Sequence, residues 1–239
     1  MFVRGTIFAL TLLFMGSAAA QAQIPLYQLD DFQDFTTQGW TNGPVPPPTN
    51  QDGGPLGAGD RFLRVDSGTF GGGPRLAVFN LSQWIGDYTA NGITGLQMDL
   101  RNFTNDPLSI RIGLRQSNGN QFTPGYVSST PFILPADGEW HTAFFGIDAG
   151  SLTGLFSPDP LATFLQNVGE LRIIHNPSVS LIGAVGNFQV GVDNIVAVPE
   201  PGTIALLGVA GVAGLATLRG RVRRRRRLTR SQAAGPAAS

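Results

Sequence analysis

The sequence predicts an all-β protein: an antiparallel β-sandwich of jelly-roll type with one short helix, flanked by an N-terminal signal helix and a C-terminal transmembrane helix. Three observations carry this expectation. Glycine (32 residues) and proline (17) are abundant while only 13% of the 239 residues are charged, which favours many turns and short strands over long solvent-facing helices. Apolar and polar residues alternate with a period of two through the middle of the chain, as half-buried strands require. Clusters of Gly, Pro and Asn separate those runs and supply turns.

The clearest alternation places Leu96, Met98 and Leu100 on one face and Gln97, Asp99 and Arg101 on the other. A second run sets Leu108, Ile110, Ile112 and Leu114 against Ser109, Arg111, Gly113 and Arg115. The Asn-Phe-Thr-Asn-Asp-Pro stretch between them reads as a turn, so the two runs are expected to form an antiparallel hairpin. Further strands are expected at 62–66, 75–79, 127–134, 140–145, 171–175 and 187–195. One helix is expected after Ser157 as its N-cap, because Leu161, Phe164, Leu165 and Val168 recur at i, i+3, i+4 and i+7. The Pro- and Gly-rich stretch 41–59 is expected to be a loop.

The net charge of zero conceals a segregation. All 16 acidic residues lie between Asp30 and Glu200, whereas eight of the 16 arginines crowd the last 21 positions. The middle of the chain is therefore acidic, which argues against nucleic acid or anionic lipid as a partner of that region. Cysteine is absent, so neither a disulfide framework nor a thiolate metal site is available.

Both ends read as addresses. Residues 1–22 carry Arg4, an apolar run from Ile7 to Met15 and the small-residue sequence Ala20-Gln21-Ala22, the layout of a secretory signal peptide with its cut at Ala22/Gln23 or Ala20/Gln21. Near the other end, Ile204 to Leu218 is free of charge and spans roughly 22 Å as a helix, against about 30 Å of bilayer hydrocarbon. The arginines that follow read as the signal that holds this end on the cytoplasmic side. The order Val198-Pro199-Glu200-Pro201, apolar helix, arginine cluster resembles the PEP-CTERM sorting signal of exopolysaccharide-producing Gram-negative bacteria. That resemblance implies export through the inner membrane by way of signal peptidase, a transient membrane stop, cleavage by an exosortase and delivery to the cell surface or extracellular matrix. The expected division is a signal peptide at 1–22, a sandwich ectodomain at 23–197, the sorting signal at 198–227 and a disordered tail at 228–239.

Within the ectodomain, the opening LDDFQDFTTQGW (Leu29 to Trp40), the RFLRV strand, the expected hairpin of Leu96–Leu100 and Leu108–Leu114, and the closing FQVGVDNI (Phe188 to Ile195) resemble galactose-binding-like and carbohydrate-binding-module jelly rolls. The resemblance implies glycan binding on aromatic platforms and a structural Ca2+ where first and last strands meet, with Asp31 and Asp193 as its ligands. Among the aromatic residues, Trp40 beside the Pro-rich stretch, and Trp84 and Tyr88 in SQWIGDYTANG, are the expected carbohydrate-binding rings, while Trp140 is expected in the core. No HExxH, GxSxG, P-loop or complete GxGxxG motif is present, and His141 and His175 fall on separate strands. No catalytic residue is assigned. The expected function is a non-catalytic exported protein bound to or embedded in exopolysaccharide. The alternatives are a purely structural matrix or adhesion protein, and a secreted glycan hydrolase that would draw on Glu139, Glu170 and the aspartates.

Overall fold

The computed structural model describes residues 22–43, 46–70, 73–117 and 122–199. Along them run β1 (Leu29–Asp30), β2 (Trp40–Thr41), β3 (Thr49–Gly54), β4 (Gly57–Asp66), β5 (Gly68–Phe70), β6 (Gly73–Arg75), β7 (Ala77–Asn80), β8 (Gly95–Asn102), β9 (Leu108–Arg115), β10 (Gly125–Ser128), β11 (Phe132–Leu134), β12 (Trp140–Gly146) and β13 (Leu152–Leu155). The helical turn α1 (Leu161–Phe164), β14 (Glu170–His175) and β15 (Gln189–Val198) complete the fold. One antiparallel sheet of six strands is ordered β12-β8-β15-β4-β3, with β1 also paired to β15. The other, of seven, is ordered β13-β10-β9-β14-β7-β2, with β11 also paired to β9.

The sheets stack through the faces that alternation marks as apolar. Leu96, Met98, Leu100, Leu63, Val65, Val190 and Val192 from the six-stranded sheet join Leu108, Ile110, Ile112, Leu114, Leu171 and Ile173 from the seven-stranded one, none more than 2% exposed. Each such side chain stabilises the fold by about 1.5–3 kcal/mol through removal from water. The sandwich of jelly-roll type is therefore formed as expected.

Several local expectations are corrected. The runs around Leu96–Leu100 and Leu108–Leu114 do not pair with each other: β8 lies between β12 and β15, and β9 between β10 and β14. Alternation marks which side of a strand is apolar but not which strand lies beside it, and two apolar faces are buried equally well across the core. The chain crosses between sheets after β8, where buried Asn102 donates to the Asp106 carbonyl (2.9 Å) and accepts from the Thr104 N–H (2.8 Å).

The expected loop at 41–59 contains half of a hairpin, because β3 pairs with β4 through Gln51↔Phe62 and Asp52↔Arg61. Its glycines serve the turn: Gly53 and Gly57 hold φ of 98° and 94°, a region open to glycine at no steric cost. The helix is a single turn that starts after Pro160, and Ser157, at φ 53°, does not cap it. Phe164, Leu165 and Val168 are nonetheless buried as their spacing predicts. The signal peptide, the apolar run 204–218, the arginine cluster and the motif residues Glu200 and Pro201 lie outside the described residues. Among the described residues no helix is long and apolar enough to cross a membrane.

The three rings expected to bind carbohydrate are core residues instead. Trp40, Trp84 and Tyr88 are 2%, 0% and 0% exposed. Both indole N–H groups donate to the same buried oxygen, Asp30 Oδ2, at 2.7 Å each. Gln83 Nε2 donates to that carboxylate as well (3.1 Å), and the Tyr88 hydroxyl donates to the Trp84 carbonyl (2.9 Å). Burial raises the Asp30 pKa, and the donated hydrogen bonds oppose that rise. A buried acceptor for two indoles is what allows polar-tipped rings to turn inward.

Candidate functional site

The outer face of the six-stranded sheet carries what the core does not use. Along the edge strand β12, Ala143 and Phe145 turn into the core, whereas Trp140, Thr142 and Phe144 lie on the opposite, outward face. Trp140 is therefore a surface-facing ring, contrary to its expected place in the core, and Phe144 is 43% exposed. Strand rise places the two rings about 14 Å apart, with the Thr142 hydroxyl between them.

Register sets a polar ladder beside this aromatic one: Arg101, Asp99 and Gln97 of β8 lie opposite Trp140, Thr142 and Phe144. Asp99 accepts from the Thr142 hydroxyl (2.6 Å) and from Asn194 Nδ2 (2.9 Å), which fixes both side chains. Glycine supplies the floor. A Cβ on Gly191 would stand 2.8 Å from Trp140 and 3.2 Å from both Phe103 and Phe62, so the three rings settle onto bare backbone. Phe62 meets Trp140 edge-on at 5.3 Å, and the Arg64 and Arg101 guanidiniums stack over Phe103 at 4.7 and 5.1 Å. Apolar ring faces ringed by amide, hydroxyl, carboxylate and guanidinium groups suit a ligand with both C–H faces and hydroxyls.

Asp193 sits on the same outer face, opposite Asp99, where β15 is irregular and Asn194 adopts φ 49°. The β3–β4 hairpin covers it completely, so that Asp193 is 0% exposed. Its Oδ1 accepts the Asn194 N–H (2.8 Å), while Oδ2 has no hydrogen-bond partner. Burial, with the charges of Asp60, Asp99 and Asp31 behind it, pushes the carboxyl up to about 8. Asp60 Oδ2 and Asp193 Oδ2 both border Gly54, at 2.6 and 3.1 Å from the point a Cβ would occupy. Asp31 stands further along, linked to Asp60 through Gln33, whose Nε2 donates to the Asp31 carbonyl (3.0 Å) and to Asp60 Oδ1 (2.8 Å).

An oxygen-only donor set with one orphaned carboxylate oxygen fits a hard cation such as Ca2+. Among the described residues no three His, Cys, Asp or Glu side chains converge as a metal cluster, so backbone carbonyls would have to complete the shell. Asp60 was not singled out in the sequence; only the folding of the hairpin over Asp193 brings it there.

The two glutamates considered for hydrolysis are not brought together. Glu139 is exposed in the turn before β12, and Glu170 is sealed between Arg115 and Arg172 on the other sheet. His141 faces Asp137 (3.0 Å), and His175 accepts the Ser109 N–H at Nδ1 (2.9 Å). Burial lowers the His175 pKa, and the neutral ring is the form that can accept that bond.

With this geometry in place, known structures supply a frame. The chain is similar to an exo-β-agarase, with a TM-score of 0.51 and 12% identity over 73% of this chain and 25% of the enzyme. The likeness shows the fold. This chain thus spans about a quarter of that enzyme's length, and at such identity nothing beyond fold follows. The chain is also similar to a family 11 carbohydrate-binding module from Clostridium thermocellum, solved with a β-1,3-1,4-mixed-linked tetrasaccharide, at 16% identity and a TM-score of 0.46 over 72% of this chain and 95% of the module. A family 30 carbohydrate-binding module of a C. thermocellum cellulase matches at 14% identity and a TM-score of 0.38, over 77% of this chain and 99% of the module. No protein-family model and no curated protein matches the chain.

Proposed function

We propose that this chain is an exported, non-catalytic glycan-binding protein whose ligand lies along β12, on Trp140, Thr142 and Phe144 and the Arg101-Asp99-Gln97 ladder beside them. The observation that carries this reading is the outward aromatic–hydroxyl–aromatic row on an edge strand, held by the Thr142–Asp99 bond. Retardation of the protein in native gels that contain neutral plant or bacterial polysaccharides tests it. Trp140→Ala is expected to weaken binding about fivefold or more, since loss of one stacked ring costs on the order of 1 kcal/mol or more. Unchanged retardation of that variant would sink the assignment.

Asp193, with Asp60 and a contribution from Asp31, is proposed to hold a structural Ca2+ that neutralises the carboxylates under the β3–β4 hairpin. Chelation is then expected to lower the melting temperature by several degrees, and added Ca2+ to restore it. A melting temperature indifferent to both would refute the site.

Export and processing by an exosortase remain part of the proposal, on the strength of the terminal sequences. The fold meets these addresses at two described residues. Val198, first in the sorting motif, is the last residue of β15 and its carbonyl accepts the Thr94 N–H (3.1 Å), so the Pro-Glu-Pro triplet starts where the sheet stops. At the other end, the Ala22 carbonyl accepts the Asp87 N–H (2.9 Å), a bond kept by a cut at Ala20/Gln21 and lost with a cut at Ala22/Gln23. Intact mass of the extracellular product is expected to show Gln21 as first residue and loss of the arginine-rich end; a full-length mass would contradict the processing reading.

A further inference from the structure

Arg101 is the one arginine among the described residues with neither a hydrogen bond nor an ion pair, and its Nε is buried without an acceptor. The others are engaged: Arg61 donates to Asn50, Arg64 to Asp66, Arg75 to the Gly183 carbonyl and Arg111 to the Asn176 carbonyl, while Arg115 and Arg172 flank Glu170. Nor is Arg101 left to swing, because its guanidinium stacks on the Phe103 ring at 5.1 Å. The cation is held in place, with its two terminal nitrogens left to donate outward.

Register sets this cation in the outer face beside the aromatic row. Trp140 of β12, Arg101 of β8, Gly191 of β15 and Arg64 of β4 lie side by side across four adjacent strands. Gly191 offers no side chain there, so Phe103 settles over it and takes a guanidinium from each flanking strand, that of Arg64 at 4.7 Å. Asp66 accepts from Arg64 Nε (3.2 Å) and offsets that charge. No carboxylate does the same for Arg101. Asp99, two residues along β8, is committed to Thr142 and Asn194.

Two cations on one ring, one of them without a counter-charge, suit an anion. The end of a guanidinium pairs with a carboxylate or sulfate through two parallel charge-assisted N–H···O bonds, a geometry that a single sugar hydroxyl does not match. The middle of the chain is acidic as a whole, so a polymer dense in negative charge is repelled while an isolated acidic group set down beside Trp140 is held. We propose that the glycan bound on the β12 face carries sparse acidic substituents, carboxylate or sulfate ester, and that Arg101, assisted by Arg64, receives one of them while a neighbouring sugar ring lies on Trp140. This substrate class rests on the reading of that face as the glycan site.

Acrylamide quenching of Trp140 reads binding at this face, since Trp40 and Trp84 are buried. The full chain is titrated with three derivatives of one β-glucan: neutral hydroxyethyl cellulose, lightly substituted carboxymethyl cellulose and lightly substituted cellulose sulfate. Half-maximal shielding is expected at a several-fold lower concentration of at least one acidic derivative than of the neutral one, and the better of the two acidic forms identifies the substituent. Arg101→Gln is expected to abolish that advantage. Arg64→Gln is expected to reduce it by a smaller factor, because Asp66 already offsets this charge, and it decides the matter if Arg101→Gln melts early. The eight C-terminal arginines are present in both variants, so an acidic preference that survives Arg101→Gln and Arg64→Gln belongs elsewhere and would overturn the proposal. Equal shielding by neutral and acidic polymers would overturn it while leaving the glycan face standing, and shielding by none of the three would overturn both.

Discussion

Asp30→Ala is expected to destabilise the fold by about 2–6 kcal/mol, measured by denaturant unfolding, because it orphans two buried indole donors at about 1–3 kcal/mol each. Both Trp40 and Trp84 rely on the same oxygen, and neither ring reaches solvent to find another acceptor. Asp30→Asn keeps one carbonyl oxygen that can take both bonds, so it is expected to cost far less than alanine. Equal losses would show that volume, not hydrogen bonding, is what the site needs. The pH dependence has a definite sign. Burial raises the folded-state pKa of Asp30 above its ordinary 3.8, so its contribution is fully present below that value and declines as pH rises through the raised folded value. Asp30→Asn should remove this component from the pH–stability curve.

Glu170→Gln is expected to cost about 3–5 kcal/mol, the usual penalty for removing one member of a buried ionic group. Glu170 is 0% exposed, makes an ion pair with Arg172, and stands 3.8 Å from Arg115 Nη1, itself 1% exposed. Leu181 roofs the cluster: a Cβ on Gly113 or Gly125 would meet its methyl groups at 3.1 Å. Burial, and then the charge of Arg115, bring the Arg172 pKa down to about 9. With the carboxylate gone, the two guanidiniums repel each other in a poorly solvated place. Replacing all three residues with methionine is expected to recover most of the loss, since well-packed apolar residues often match or exceed a buried ionic cluster. A triple variant as unstable as Glu170→Gln alone would contradict this account of the cluster.

Parity along strands was legible in the sequence; partnership between strands was not. Leu96–Leu100 and Leu108–Leu114 announce their apolar faces, yet nothing local separates a hairpin from an arch that crosses the core, because both bury the same atoms. Composition misled at 41–59, where glycines and prolines signal a turn but not the paired strand around it. The aromatic residues were inverted for a related reason. Trp40 and Trp84 sit among polar, turn-like neighbours, and the carboxylate that draws them inward, Asp30, is 10 residues from one and 54 from the other. Parity alone would have placed Trp140 correctly, since it shares a face with Thr142 and Phe144 and not with Ala143 and Phe145.

The burial of two tryptophans makes the third a direct reporter. Of the three indoles in the chain, that of Trp140 alone is partly exposed while the other two are buried, so acrylamide quenching of tryptophan fluorescence reports on the β12 face. Addition of a polysaccharide that retards the protein is expected to shield this accessible fraction from quencher. Tight binding that leaves the accessible fraction unchanged would place the ligand elsewhere and contradict the assignment of β12 as the glycan-binding face.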